Sequence, residues 1–195
     1  MSARALLRDR KQLRDAFVCE VGCGTAALSV LAMKLGAESA VGIDCDPRAV
    51  HLARRTAAAN GVRMDLRRGD LLLGLKGRFD VLLANLPQKP SLREDGGALL
   101  RRFLSQSRRR LKPGGRLYLF AHSLAPMGAL AKGFRGFRVE VAFWRRRHAP
   151  PGEYPPGLIR HWLGLAERGL AVFHSRPGRR GWHTFHAVML VATRS

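Results

Sequence analysis

Between Val18 and Ala26 the chain passes from a strand-length apolar run, through Gly22 and Gly24, directly into a helical pattern. That passage constrains the fold more than any other feature. Glycines at a strand-to-helix turn let the backbone reverse tightly and leave it bare, so that a ligand can press against main-chain atoms. A lone Gly-x-Gly is compatible with an ordinary tight turn, so its meaning depends on what surrounds it.

What surrounds it is an alternation of strands and helices. Residues 1–15 mix charged residues with a few leucines and are expected to form a short amphipathic helix, followed by a strand over Ala16–Val21. Thr25–Leu35 is apolar almost all round and is expected to be a buried helix ended by Gly36. A strand over Ala40–Ile43 follows, then Asp46-Pro47 as a helix start, with Asn60-Gly61 as its stop. Strands are expected over Met64–Arg68, Phe79–Ala84, Arg116–Ala121, Phe137–Phe143 and Phe185–Ala192. A helix over Ala98–Leu111 is broken by Lys112-Pro113-Gly114-Gly115, and a shorter helix lies around Pro126–Lys132. With 195 residues and 46% hydrophobic content, one α/β domain with one core is expected.

Two acids fall at strand ends on the same rim as the glycine turn. Val41-Gly42-Ile43-Asp44 places a carboxylate about 20 residues beyond the glycines, where it can accept both hydroxyls of a ribose. Arg68-Gly69-Asp70-Leu71 places another, which could accept the exocyclic amine of adenine while Leu71 packs near the ring. For Asp70 a helix N-cap is an equally good reading.

Taken together, these residues resemble class I S-adenosylmethionine (SAM)-dependent methyltransferases over residues 16–121 and the terminal strand. The resemblance implies a Rossmann-like, doubly wound, seven-stranded sheet, mostly parallel with an antiparallel last strand. It also implies a cofactor-binding set of Glu20, Gly22, Cys23, Gly24, Thr25, Asp44, Cys45, Asp70, Leu71 and Asn85, with Glu20 near the methionine end of SAM. Ala26 stands where many members carry a third glycine, and Ala27 removes the third glycine of a dinucleotide fingerprint, which disfavours an NAD-dependent dehydrogenase.

Asn85-Leu86-Pro87-Gln88 follows the fourth strand. It is similar to the Asn-Pro-Pro-Tyr motif of methyltransferases that modify planar or amide nitrogens, with Leu86 in place of the first proline and Gln88 in place of the aromatic residue. In that family the asparagine oxygen and the next carbonyl accept the two N–H hydrogens and aim the nitrogen lone pair along the carbon–sulfur axis. The resemblance gives that catalytic role to Asn85 and Leu86, with Pro87 fixing the loop; the simpler alternative makes Asn85 a turn residue. The stretch from Leu35 to Val50, with Asn60-Gly61-Val62, is similar to the release-factor glutamine and ribosomal-protein methyltransferases, and the RNA guanine methyltransferases look alike too.

Charge bears on the partner. The net charge of +21 is uneven, with 16 Lys and Arg against 11 Asp and Glu in residues 1–95 but 19 against 3 in residues 96–195. A basic field attracts polyanions such as RNA or a ribosomal surface, although a GC-rich genome could also impose an arginine excess. The segment Arg145–Trp182 reads as a basic insertion before the last strand, with Trp144, Trp162, Phe173 and Trp182 interleaved with Arg145, Arg146, Arg147, Arg179 and Arg180. It suits stacking on a nucleic acid, or a satellite core with a solvated basic face. The relatives carry N-terminal recognition domains, so this insertion is the expected source of substrate recognition here.

No histidine spacing matches a zinc pattern, and no metal is expected; His122 is a weak candidate base. Cys19, Cys23 and Cys45 suit buried thiols better than a disulfide framework. Neither a signal peptide nor an apolar run of about 20 residues is present, so a soluble, cytoplasmic protein with no membrane partner is expected. The expected function is SAM-dependent methylation of a nitrogen on a ribosome-associated protein or RNA. A small-molecule methyltransferase and a non-catalytic RNA-binding scaffold are the alternatives.

Overall fold

The computed structural model describes residues 2–86, 97–122, 134–149 and 183–195. Helix α1 (Ser2–Arg8) and a single 3-10 turn (Arg10–Gln12) lead into strand β1 (Phe17–Val21). The amphipathic expectation for residues 1–15 is met by two short pieces rather than one helix. Ala5, Leu6 and Leu13 are fully buried. Asp9 anchors the lead-in by accepting from Arg116 at 3.1 Å and the Tyr118 hydroxyl at 2.9 Å.

Helix α2 (Ala27–Lys34) and strand β2 (Ser39–Asp44) follow, then helix α3 (Pro47–Ala59) and strand β3 (Asp65–Arg68). Strand β4 (Phe79–Ala84) falls where the alternation placed it. Helix α2 begins two residues later than its pattern suggests, because Gly24 and Ala26 both hold a left-handed backbone, at φ +53° and +58°. Helix α3 starts as its sequence dictates: the Asp46 carboxylate accepts from the Arg48 N–H at 2.9 Å, and Pro47 occupies the first turn.

Helix α4 (Gly97–Arg110) runs into strand β5 (Leu111–His122), and the long strands β6 (Phe137–Ala149) and β7 (His183–Arg194) complete the sheet. Two expectations need correction here. Lys112-Pro113-Gly114-Gly115 lies inside β5 rather than ahead of it: Leu111 pairs with Phe79 and Arg116 with Val81, and the irregular register absorbs the residues between. The basic insertion does not begin at Arg145, because Trp144–Ala149 are paired with Val188–His183 of β7. The expected helix at Pro126–Lys132 lies outside the described residues, as do Trp162, Phe173, Arg179, Arg180 and Trp182.

The seven strands are ordered β3-β2-β1-β4-β5-β7-β6. All pairings are parallel except those of β7, which runs antiparallel to both β5 and β6. Alternate residues of β1 enter different cores, as the period of two requires. Cys19 and Val21 join Phe103 and Leu104 of α4, whereas Val18 joins Leu6, Leu13 and Ala32 on the side of α1 and α2. Burying side chains such as Phe79 and Phe103 completely contributes about 1.5–3 kcal/mol each. In such a sheet the strand order reverses between β1 and β4, and a crevice opens above their carboxyl ends.

No helix among the described residues is long and apolar enough to cross a membrane.

Candidate active site

The crevice is built from the ends of β1, β2 and β4. Val21 at the tip of β1 pairs with Ile43 of β2 on one side and with Ala84 of β4 on the other. The glycine loop after β1 and Asn85 after β4 therefore emerge side by side.

The loop itself is held by main-chain bonds. The Cys23 N–H donates to the Ile43 carbonyl at 3.0 Å, and the Ala26 N–H donates to the Cys23 carbonyl at 2.6 Å. Gly22, at φ +65°, has its bare side turned to Leu86, where an added Cβ would come within 2.8 Å of Cδ2. Gly24, at φ +53°, has no atom within 4 Å of the same position. One glycine lets the segment after β4 close down on the turn, and the other leaves a face of the turn open. Thr25 is exposed beside it.

Asp44 stands at the tip of β2, its carboxylate accepting from the Gly24 N–H at 2.9 Å and from the Asp46 N–H at 3.0 Å. A carboxylate has roughly four lone-pair sites, so two hydroxyls of a ribose can still be accepted. The donor set and the open face of Gly24 thus fit an adenosyl group.

Glu20 is the deeply buried acid of the site, at 6% exposure. Its carboxylate accepts from the Ser29 N–H at 2.8 Å and the Ser29 hydroxyl at 2.7 Å. The need arises from the helix start: the N-cap of α2 is Ala26, which has no side-chain acceptor, so Glu20 satisfies an orphan N–H from the neighbouring strand. Burial pushes its carboxyl up to about 7, against the Ser29 bonds that favour the anion, and Asp44 nearby adds to the rise. Ser29 escaped the sequence reading. A serine inside an otherwise apolar helix was the available signal.

Cys23 is buried, and burial pushes its thiol up to about 12, which leaves it without nucleophilic character near neutrality. Cys45 departs from the expected burial, because it lies exposed just beyond Asp44.

Asp70 does not cap a helix. Residues 71–74 form a turn, and the carboxylate is ion-paired with Arg102 of α4, both side chains being about half exposed. Leu71, with a left-handed φ of +53°, is turned into the core at 7% exposure. Nothing in the sequence around Asp70 signalled Arg102, 32 residues away.

Asn85 is exposed at the end of β4, whereas Leu86 is buried against the glycine loop. Pro87 and Gln88 lie outside the described residues. Among the described residues no group of His, Cys, Asp and Glu is arranged to hold a metal ion.

Comparison with known proteins defines the class. Residues 1–142 match the methyltransferase small domain family. The chain belongs to this family, and with it to the SAM-dependent methyltransferases. It is 30% identical over 154 residues to a protein of Methanocaldococcus jannaschii described as a protein N5-glutamine methyltransferase, covering 70% of this chain and 78% of that one. It is 31% identical over 137 residues to the ribosomal protein L11 methyltransferase of Paraburkholderia phymatum, which covers 68% of this chain but only 40% of the relative. The crystal structure of the ribosomal protein L11 methylase of Lactobacillus delbrueckii superposes with a TM-score of 0.61 at 19% identity, over 100% of this chain and 77% of that one. That likeness shows the fold.

Proposed function

We propose that the protein transfers a methyl group from SAM to a nitrogen of a macromolecular substrate of the translation machinery, a ribosome-associated protein or RNA. The observation that carries this reading is the adjacency of Asn85 and the glycine loop: β1 and β4 are hydrogen-bonded neighbours, and Leu86 packs on Gly22. The relative described as a protein N5-glutamine methyltransferase supports a nitrogen acceptor on a protein, and the one described as a ribosomal protein L11 methyltransferase supports a ribosomal protein as substrate. The basic charge supports a partner from the ribosome. Such a substrate places the enzyme in the cytoplasm.

The cofactor would lie over Gly22, Cys23, Gly24 and Thr25, its ribose on Asp44 with Cys45 beside it, its adenine towards Asp70 and Leu71, and its methionine end towards Glu20. Bound there, it supplies an electrophilic methyl group on a positively charged sulfur. The chain contributes positioning. The Asn85 side-chain oxygen and the Leu86 carbonyl accept the two N–H hydrogens of the acceptor, which turns the nitrogen lone pair towards the crevice. In sequence, Pro87 follows as in the related motif and Gln88 stands where that motif has an aromatic residue, so recognition of a flat base relies less on this loop.

The Asn85→Ala variant tests the assignment. Its SAM affinity by calorimetry should match the wild type, because Asn85 addresses the acceptor more than the cofactor. Turnover with tritiated-methyl SAM and cell extract should fall by about 100-fold, the scale of a misplaced reacting group. Undiminished turnover removes Asn85 from the mechanism, and an extract in which only small molecules become labelled excludes a macromolecular acceptor.

A further inference from the structure

A second concave site lies on the opposite rim of the sheet, remote from the glycine loop. It is a cavity of about 530 Å³ lined by Arg78, Arg101, Arg108, Arg109, Arg135 and Arg194, with Leu104 and Ser105 between them. None of its lining residues is acidic.

The arginines converge from four places in the fold. Arg101, Arg108 and Arg109 lie on α4, Arg78 just ahead of β4, Arg135 just ahead of β6, and Arg194 at the end of β7. A helix C-terminus attracts cations, which accounts for Arg108 and Arg109 in the last turn. It does not account for Arg78, Arg135 and Arg194, which are brought in by sheet pairing. Arg194 donates to the Leu111 carbonyl, and Arg108 packs on the bare face of Gly136, so part of the cluster is held in place. Among the described residues, Arg78, Arg108, Arg109 and Arg135 make no ion pair with a carboxylate. Like charges gathered in one concavity repel until an anion enters, and a guanidinium fork fits phosphate oxygens two at a time.

We propose that this arginine cavity is a docking site for the phosphate backbone of RNA. The chemistry favours RNA over an acidic protein, since protein partners are anchored by apolar and aromatic side chains in pockets, and this one offers only the buried Leu104 among cations and a serine. Strand β4, at about 3.3 Å per residue, separates the cavity from Asn85 by roughly 20 Å. The two sites do not overlap, so an RNA gripped on one rim leaves the crevice open to an acceptor. The inference goes beyond the proposed reaction, and its readout is binding rather than turnover, so either can fail without the other.

The test measures binding of a fluorescently labelled single-stranded RNA by anisotropy between about 50 and 200 mM salt. Each phosphate contact contributes about 0.7 to the slope of log K against log salt, so R78Q/R109Q/R135Q should flatten the slope by about 2. The control R10Q/R55Q/R63Q removes the same charge from exposed positions outside the cavity lining. It should change the slope far less. SAM binding by calorimetry reports whether each variant is folded, and should the triple variant not fold, each single substitution should still lower the slope by about 0.7. Equal flattening in both triple variants, or none in either, overturns the proposal. So does poly-glutamate of matched charge binding as tightly with the same dependence on the cavity arginines, which assigns the site to an acidic protein.

Discussion

Substituting Gly22 and Gly24 one at a time separates two demands that the loop places on bare backbone. Both hold a left-handed conformation, at φ +65° and +53°. An alanine there costs about 1–2 kcal/mol in backbone strain, a cost the loop already carries once at Ala26, at φ +58°. Strain alone should lower the melting temperature of either variant by roughly 2–8 °C for a domain of this size. The environments then divide them. At Gly22 the new methyl meets Leu86 Cδ2 at 2.8 Å, and the overpacking adds about 1 kcal/mol or more before the leucine tip moves aside. At Gly24 it meets nothing within 4 Å, but it projects into the space assigned to the cofactor. Gly22→Ala should therefore be the less stable variant and Gly24→Ala the weaker binder, with SAM affinity reduced at least about ten-fold, or about 1.4 kcal/mol. Thermal melts without ligand and calorimetric titration with SAM give the two orders. Wild-type affinity in Gly24→Ala, or affinities that merely follow the melting temperatures, would refute the view that the cofactor lies against this turn.

Glu20 makes stability depend on pH in a defined direction. Its carboxyl is raised from an ordinary 4.5 to about 7 in the fold, so the protonated form is favoured there. The resulting stability is present in full below pH 4.5 and is lost as pH rises through 7, by about 3 kcal/mol in total. Urea unfolding of the ligand-free protein at several pH values across that window should show this decline, and Glu20→Gln should flatten it; a persisting slope assigns the effect to another group. The Asp80 carboxylate accepts from the Phe17 N–H and from Lys112 Nζ, each at 2.9 Å, at the entry to β1. Asp80→Ala should destabilise the domain by about 1–3 kcal/mol, measured by urea unfolding, whereas Lys112→Met, which removes only a half-exposed ion pair, should cost under about 1 kcal/mol. Equal losses would show that the backbone bond is not what matters.

How much of the site could be read from the chain follows from the range of the forces involved. The glycine turn, the acid at the tip of β2 and the asparagine after β4 were legible because each belongs to a local pattern, an apolar strand and the residue that ends it. Asp46-Pro47 announced α3 for the same reason. Ser29 was not legible as the partner of Glu20, because a strand residue reaching across to cap a helix has no fixed spacing in sequence. Asp70 and Arg102 stand 32 residues apart and meet only when α4 lies on the sheet.

Periodicity and turn chemistry in the chain alone thus determined the alternating elements, the class of fold and the rim that the glycine turn and Asp44 share. The tertiary structure decided the strand order that sets Asn85 beside the glycine loop, the inclusion of Lys112-Pro113-Gly114-Gly115 within β5, and the length of the β6–β7 ladder. It also decided the gathering of six arginines into one cavity. The division is physical: a side chain's neighbours within a turn or a pleat are dictated by backbone geometry, whereas neighbours across a sheet depend on which distant segments bury their apolar faces together.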